Sequence, residues 1–352
     1  MRKVLLGMSG GIDSTVSAIL LRQMGYDVVG LTLRVWSEDD RLENKQLPQY
    51  LTDAKNTAEK LQIPHHVADV REEFYDKVIQ YFKNEYLTGR TPNPCAKCNV
   101  VLKWEVLQRF ADHLNCEFMA TGHYVQMEKV ADFFYIKKGV DPDKEQSFFL
   151  WGLGQDILQR AIFPLGDLSK SKVREIALEN GLELINKKKE STGICFLKGA
   201  YQPFLKQLIA ADKKTVPQGN FLDENGAIIG KHQGYPYYTV GQRRGLGLVP
   251  KEPYYVKSIC PDKNEIVLGN RESLVVKSMI VSHYHLINKA DFNEPVITRI
   301  RYRKQAAWSR IEILDEYKLK VHFEQTEWSI APGQTAAFYS GDRLLGGGYI
   351  YQ

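Results

Sequence analysis

Two groups of residues in this chain have the types and spacing to do chemistry. The first is Gly7-Met8-Ser9-Gly10-Gly11-Ile12-Asp13-Ser14, which lies between the apolar run Val4-Leu5-Leu6 and the helically spaced Val16, Ile19, Leu20 and Met24. Adjacent glycines let the backbone turn sharply with its N–H groups facing inward. Ser9 and Ser14 add hydroxyl donors, and the helix that follows aims its positive end into the turn. A phosphate or pyrophosphate is the natural occupant. The loop has no Gly-Lys-Ser/Thr and misses the G-x-G-x-x-G spacing, so it is neither a Walker A loop nor a dinucleotide fingerprint. Asp13 would repel phosphates unless a bridging cation or a backbone hydrogen bond intervenes.

The second group is made of thiols. Pro92-Asn93-Pro94-Cys95-Ala96-Lys97-Cys98-Asn99 places two cysteines three residues apart at the start of a helix carrying Leu102 and Trp104. A helix N-terminus and the neighbouring Lys97 predict a depressed pKa and some thiolate at neutral pH. Cys195, in Ser191-Thr192-Gly193-Ile194-Cys195-Phe196, follows Lys187-Lys188-Lys189, whose charges favour thiolate in the same way. A zinc site would need two further ligands at compatible spacing, and there is neither a second Cys-x-x-Cys nor a His-x-x-x-His. Cys116 and Cys260 stand in apolar or turn contexts and read as structural, and the five cysteines do not suit a disulfide framework.

The elements that must position these groups alternate in the first third of the chain. Apolar strand runs at Lys3–Met8, Val28–Leu33, His65–Val70 and Glu117–Thr121 are separated by helical periods. That order predicts an α/β fold, a doubly wound parallel sheet with ligands at the carboxyl ends of its strands. Tyr124–Val130 and Phe133–Lys138 read as a hairpin, followed by helical segments near 145–160 and 171–180. From about 215 onward, short alternating runs punctuated by Gly, Pro and Asn, among them Val296–Tyr302, fit two small β-rich domains, the last a barrel. The expected boundaries are 1–205, 206–272 and 273–352. The chain has 352 residues, 43% of them hydrophobic and 25% charged, a globular composition with no apolar run long enough for a membrane span. The N-terminal apolar run is short for a secretory signal, so a cytosolic location is expected. Net charge is only +5, but residues 271–310 hold eight Lys/Arg against three acids, an excess equal to that of the whole chain. Arg299, Arg301 and Arg303 alternate on one predicted strand, continued by Lys304, and would form either a basic ridge for phosphates or a solvated strand face.

Ser-Gly-Gly-x-Asp-Ser resembles the PP-loop of the ATP pyrophosphatase superfamily. Together with Thr91-Pro92-Asn93-Pro94, Cys98-Asn99, Ala120-Thr121-Gly122-His123-Tyr124 and the Cys195 motif, it makes the chain similar to the tRNA-specific 2-thiouridylase family. Lys144-Glu145-Gln146, Tyr238–Arg243, Arg301-Tyr302-Arg303 and Pro332-Gly333-Gln334 extend the likeness over the whole length. The resemblance implies that Gly7, Met8, Ser9, Gly10, Gly11, Ile12, Asp13 and Ser14 cradle ATP, with Asp13 working with Mg²⁺, and that Leu33 and Gly122 complete the nucleotide site. It implies adenylation of the C2 oxygen of uridine 34 of tRNA, then sulfur transfer from a persulfide on Cys195, assisted by Cys98. Asn93, Pro94, Cys95, His123, Lys144, Glu145, Gln146, Arg301, Tyr302 and Gln334 correspond to residues that meet the tRNA.

Many members carry Asp where this chain has Cys95. The thiol there creates a trio, Cys95, Cys98 and Cys195, that could instead hold a [4Fe–4S] cluster carrying the transferable sulfide. The implied partners are tRNA and an upstream sulfur-donor or persulfide-relay protein, with the free enzyme a monomer. A small-molecule PP-loop synthetase would share the loop but need neither the cysteines nor the basic segment.

Overall fold

The computed structural model describes residues 2–36, 47–183, 193–197, 199–248, 253–303 and 306–352. Lys187, Lys188, Lys189, Ser191, Thr192 and Lys304 therefore lie outside the described residues. The chain divides into two compact units, one formed by 1–77, 95–196 and 341–345, the other by 78–94, 197–340 and 346–352.

In the first unit, β1 (Lys3–Gly7) is followed by α1 (Ile12–Gln23), β2 (Asp27–Arg34), α2 (Gln49–Lys60) and β3 (His65–Asp69). A helix over 71–87, α3, whose residues from 78 onward belong to the second unit, contains a π-helical turn at Tyr75–Ile79, and a second long helix over 94–113, α4, contains another at Asn99–Lys103. Then come β4 (Phe118–Ala120), the hairpin β5 (Val125–Val130) and β6 (Phe133–Lys138), β7 (Ala161–Ile162) and α5 (Lys170–Glu179). The parallel sheet runs β3-β2-β1-β4-β7, so β1 is central and the strand order reverses beside it. A crevice at such a reversal point is where open α/β sheets bind ligands.

β1 is central because Val4, Leu5 and Leu6 are fully buried, covered from both faces. Val4 and Leu6 pack with Ala18, Leu21, Ala54 and Ala58 of α1 and α2. The outward stripe of α1, Val16 and Ile19, packs on Val173, Ile176 and Ala177 of α5. The helices expected near 145–160 shrink to single turns at Ser147–Phe149 and Gln155–Leu158, because Gly152 and Gly154 interrupt them.

The second unit begins its continuous run with α6 (Tyr201–Ala211), which occupies much of the stretch where composition suggested a break. Next are β8 (Gly219–Leu222), β9 (Ile228–His232), β10 (Tyr255–Cys260) and β11 (Glu265–Gly269), a sheet ordered β10-β11-β8-β9 over a core of Phe221, Tyr238, Val256, Ile266 and Leu268. The last six strands are β12 (Val275–Leu286), β13 (Val296–Arg299), β14 (Ala307–Ile313), β15 (Lys318–Trp328), β16 (Thr335–Ser340) and β17 (Arg343–Ile350). They run β12-β15-β14-β13-β16-β17, and β17 returns to pair with β12, closing a barrel with no free edge.

Candidate active site

The phosphate-type loop connects β1 to α1 at the reversal point. Gly10 has φ +72°, and a Cβ there would stand 2.8 Å from Asp53 Cβ and from the Tyr50 carbonyl oxygen, so only glycine fits. The two serines shape the loop. Ser14 Oγ donates to the Gly11 carbonyl at 3.1 Å and accepts from the Ser9 N–H at 3.2 Å, while Ser9 Oγ accepts from Gly11 N–H at 3.4 Å. The hydroxyls expected to serve a ligand are thus largely engaged within the turn. The donors that remain for one are the first-turn N–H groups of α1, which have no acceptor inside the helix.

Asp13 is held on both sides. Its Oδ1 accepts from Tyr124 Oη at 2.6 Å and from Lys170 Nζ at 2.7 Å. Lys170 is 8% exposed and stands at the first position of α5, whose Ser169 cap accepts from Lys172 N–H. The cation needed to offset Asp13 is therefore supplied by the chain itself, from a residue 157 positions away. No local pattern marks either partner; an apolar-patterned helix that opens on a buried lysine was the available signal. Gly122 matters for packing: a Cβ on it would lie 3.1–3.2 Å from the backbone of Asp13 and Ser14. Leu33 is half-buried at the end of β2, in register with Ala68 of β3.

His123 continues from Gly122. One ring nitrogen, Nδ1, pairs with Thr121 Oγ1 at 2.7 Å, and the ring meets Phe163 edge-on. Burial, then the charge of Lys103, hold its pKa well below the ordinary value. The ring is neutral at pH 7 and serves as a hydrogen-bonding group, not as a counter-ion for phosphate. Because the folded state resists protonation, its stabilising contribution is complete above the ordinary histidine pKa of 6.5 and is lost as pH falls below it. His65 and His232 are shifted the same way, both chiefly by burial. Thermal melts should therefore be flat near pH 7–8 and fall from about pH 6.5 downward, at up to about 1.4 kcal/mol per pH unit for each such histidine. His123→Gln should show a smaller fall over the same interval; an unchanged profile would contradict this assignment.

The thiols come together electrostatically. Cys195 feels Cys95 and Cys98, and the charge of Lys103, from the π-helical turn Asn99–Lys103, reaches all three. The expected depressed pKa values are not found. Burial pushes Cys95 and Cys98 up, and burial plus the two neighbouring thiols pushes Cys195 up to about 12, although the residue as a whole has an exposed face. Desolvation of a buried anion outweighs the helix end and Lys103. Among the described residues no three His, Cys, Asp or Glu side chains are arranged to hold a metal ion. The cluster reading of Cys95, Cys98 and Cys195 gains no support from this arrangement. Cys116 is buried and Cys260 half-buried; both are free thiols.

The residues expected to meet RNA are placed as follows. Gln146 Oε1 accepts from Tyr124 N–H at 3.1 Å, buried Glu145 accepts from Ser147 N–H, and Lys144 is half-buried beside them. In the second unit, Asn93 and Pro94 follow a segment gripped by Gln334, whose Nε2 donates to the carbonyls of Thr91 (2.9 Å) and Pro92 (3.1 Å). Arg299, Arg301 and Arg303 do not form the expected strand ridge. β13 ends at Arg299, Ile300 is buried, and 301–303 form a turn, so the three arginines do not share a strand face. Arg301 donates to Ser329 O (2.6 Å) and Oγ (2.7 Å) and lies over Trp328, Arg299 donates to the Tyr302 carbonyl, and Arg303 is exposed.

Family models described as the tRNA methyl transferase HUP domain, the tRNA methyl transferase PRC-barrel domain and the aminomethyltransferase beta-barrel domain match residues 2–199, 202–270 and 276–350. The chain is 44% identical over 350 residues to tRNA-specific 2-thiouridylase MnmA 2 of Phocaeicola vulgatus, covering 99% of this chain and 97% of that protein. It is 42% identical over 360 residues to tRNA-specific 2-thiouridylase MnmA of Cytophaga hutchinsonii, with 99% and 97% covered. The chain belongs to the tRNA-specific 2-thiouridylase family. Within that family, the α/β first unit carries both the phosphate-type loop and the three thiols, and the barrel carries the arginine-rich segment. Among the described residues no helix is long and apolar enough to cross a membrane.

Proposed function

We propose that this protein is an ATP-dependent sulfurtransferase that converts uridine 34 of tRNA to 2-thiouridine. One observation carries the reading: a continuous path joins the phosphate-type loop to the thiols. Gly122 packs on Asp13 and Ser14, His123 is next in the chain, and Lys103 acts on His123 and on all three cysteines. In this reading a nucleotide phosphate and a sulfur act on one substrate atom. The methyl transferase wording of two family models has less support, because a pair of reactive thiols beside a phosphate loop suits adenylation and sulfur transfer.

The loop fits a nucleotide's phosphate chain: a glycine cradle, unpaired helix N–H groups and the Lys170 ammonium converge there. A Mg²⁺ accompanying ATP would find its oxygen ligand in the Asp13 carboxylate. Bound ATP supplies adenylation, which turns the inert C2 oxygen of the uridine into a leaving group. The chain's residues do the rest. Neutral His123 orients the base by hydrogen bonding. Cys195, loaded as a persulfide by a donor protein, attacks C2 through its terminal sulfur as AMP leaves. The Cys98 sulfur then attacks the Cys195 sulfur, its thiol proton passing to the thiouridine, so that the new sulfur stays on C2 and a Cys98–Cys195 disulfide forms, to be reduced by an external thiol before the next turnover.

Nucleoside mass spectrometry of tRNA incubated with the protein, ATP and a sulfide or persulfide source tests the proposal. The expected product is 2-thiouridine at position 34 with one AMP per sulfur. Absence of the thionucleoside, with AMP formed instead on a small acceptor, would place the chain among small-molecule synthetases. The proposed location is cytosolic and the proposed free state a monomer.

A further inference from the structure

Two motifs of the second unit, Tyr238–Arg243 and Pro332–Gln334, converge on one short segment. Thr91 N–H donates to the Pro332 carbonyl at 2.7 Å, and Thr91 Oγ1 donates to Thr239 Oγ1 at 3.2 Å. Gln334 Nε2 donates to the carbonyls of Thr91 and Pro92. The turn that makes these bonds is itself tied to the end of β17, through Gly333 N–H to Ile350 O at 2.8 Å and Ile350 N–H to Gln334 O at 2.7 Å. Gly333 has φ +89°, and a Cβ on it would stand 2.9 Å from Thr91 N, Thr91 O and Glu85 Oε2. The turn is glycine because the segment passes directly against it. Pro92 and Pro94 offer no N–H and restrict the backbone, so what holds 91–92 is transmitted to Asn93 and to the helix that opens with Pro94-Cys95-Ala96-Lys97-Cys98.

We propose that Thr239 and the Pro332-Gly333-Gln334 turn form a clasp that sets where the thiol-bearing helix begins, which makes Gln334 a positioning residue for Cys98. This rests on the reading of Cys98 as a reactive thiol, but its test requires neither tRNA nor ATP. The clasp uses both N–H bonds of the Gln334 amide, so the side chain acts on the chain before any RNA arrives. A residue that only contacted RNA would leave the RNA-free protein unchanged when replaced.

The experiment compares the full-length protein with Gln334→Ala, Gln334→Glu and Gln334→Lys, the last keeping a donor at that reach. Hydrogen exchange of peptides spanning 90–99 and the rate of Cys98 alkylation, followed by peptide mass spectrometry, are measured without RNA. Ala and Glu should raise exchange in this segment about tenfold, the effect of losing two ordinary hydrogen bonds, and change the Cys98 rate at least about threefold. Lys should stay near the parent values. Thr239→Val, which is isosteric and removes the acceptor of the Thr91 hydroxyl, should give about a threefold rise and keeps the test available if the Gln334 variants unfold. Parent-like exchange and alkylation in all variants, with only tRNA affinity reduced, would overturn the clasp and leave Gln334 an RNA contact alone.

Discussion

Cys195→Ser is expected to lower 2-thiouridine formation by about a thousandfold or more, the usual scale for deleting a covalent nucleophile. ATP binding should be retained, because among the described residues none of the loop's hydrogen bonds involves residue 195. The surroundings make the result specific. With its pKa pushed up to about 12, the resting Cys195 thiol is ionised at neutral pH to only about one part in 10⁴ or less. The site thus keeps the empty thiol inert, whereas a persulfide, a stronger acid, can carry the anion. Iodoacetamide should label Cys195 slowly at pH 7.5 and faster as pH rises toward 10, despite its exposed face. Rapid labelling at neutral pH would refute the desolvation account. Cys98→Ser should stop turnover to a similar degree, whereas Cys95→Ser should be milder if residue 95 serves only as a neighbour.

Lys170→Met is expected to weaken ATP binding by roughly ten- to a hundredfold, the range for removing one partner of a charge-assisted contact. The lysine offsets Asp13, and a carboxylate without that cation repels the phosphates the loop is shaped to receive. Stability should fall as well, by about 1–2 kcal/mol. That is less than the ~3–5 kcal/mol of a fully buried pair, because the Asp13 side chain keeps 36% of its exposure and retains the Tyr124 hydroxyl. Tyr124→Phe removes one hydrogen bond and should cost less on both counts. Calorimetric titration with ATP and Mg²⁺, alongside thermal melts, separates the two effects. A drop in melting temperature with unchanged ATP affinity would reduce Lys170 to a structural counter-ion.

Both predictions depend on pairings of very different legibility. The loop could be read directly, since Gly10, Gly11 and the register of Asp13 follow from what a sharp strand-to-helix turn allows. Its counter-charge could not, because Lys170 lies 157 residues away and looks like any helix-opening lysine. Residue types reveal the thiols but not their acidity: Lys97 is adjacent in sequence, whereas burial, which raises the pKa of all three, is a property of the packed surroundings. The arginine ridge failed for a related reason. Alternation at 299, 301 and 303 satisfies a strand period, yet Ile300 is claimed by the core and the chain turns there.

By itself the sequence determined the α/β order of the first unit, the β-rich character of the remainder, the phosphate-type loop and the family. These rest on backbone sterics and on apolar periods of two and 3.6, which act over a few neighbouring residues. Only the tertiary structure decided that Lys170 and Tyr124 hold Asp13, that Lys103 serves three thiols and a histidine, and that Gln334 grips Thr91 and Pro92. Those facts depend on which distant side chains share a desolvated volume. Charge interactions and hydrogen bonds there gain their strength from the exclusion of water, and no local window of residues records where water is excluded.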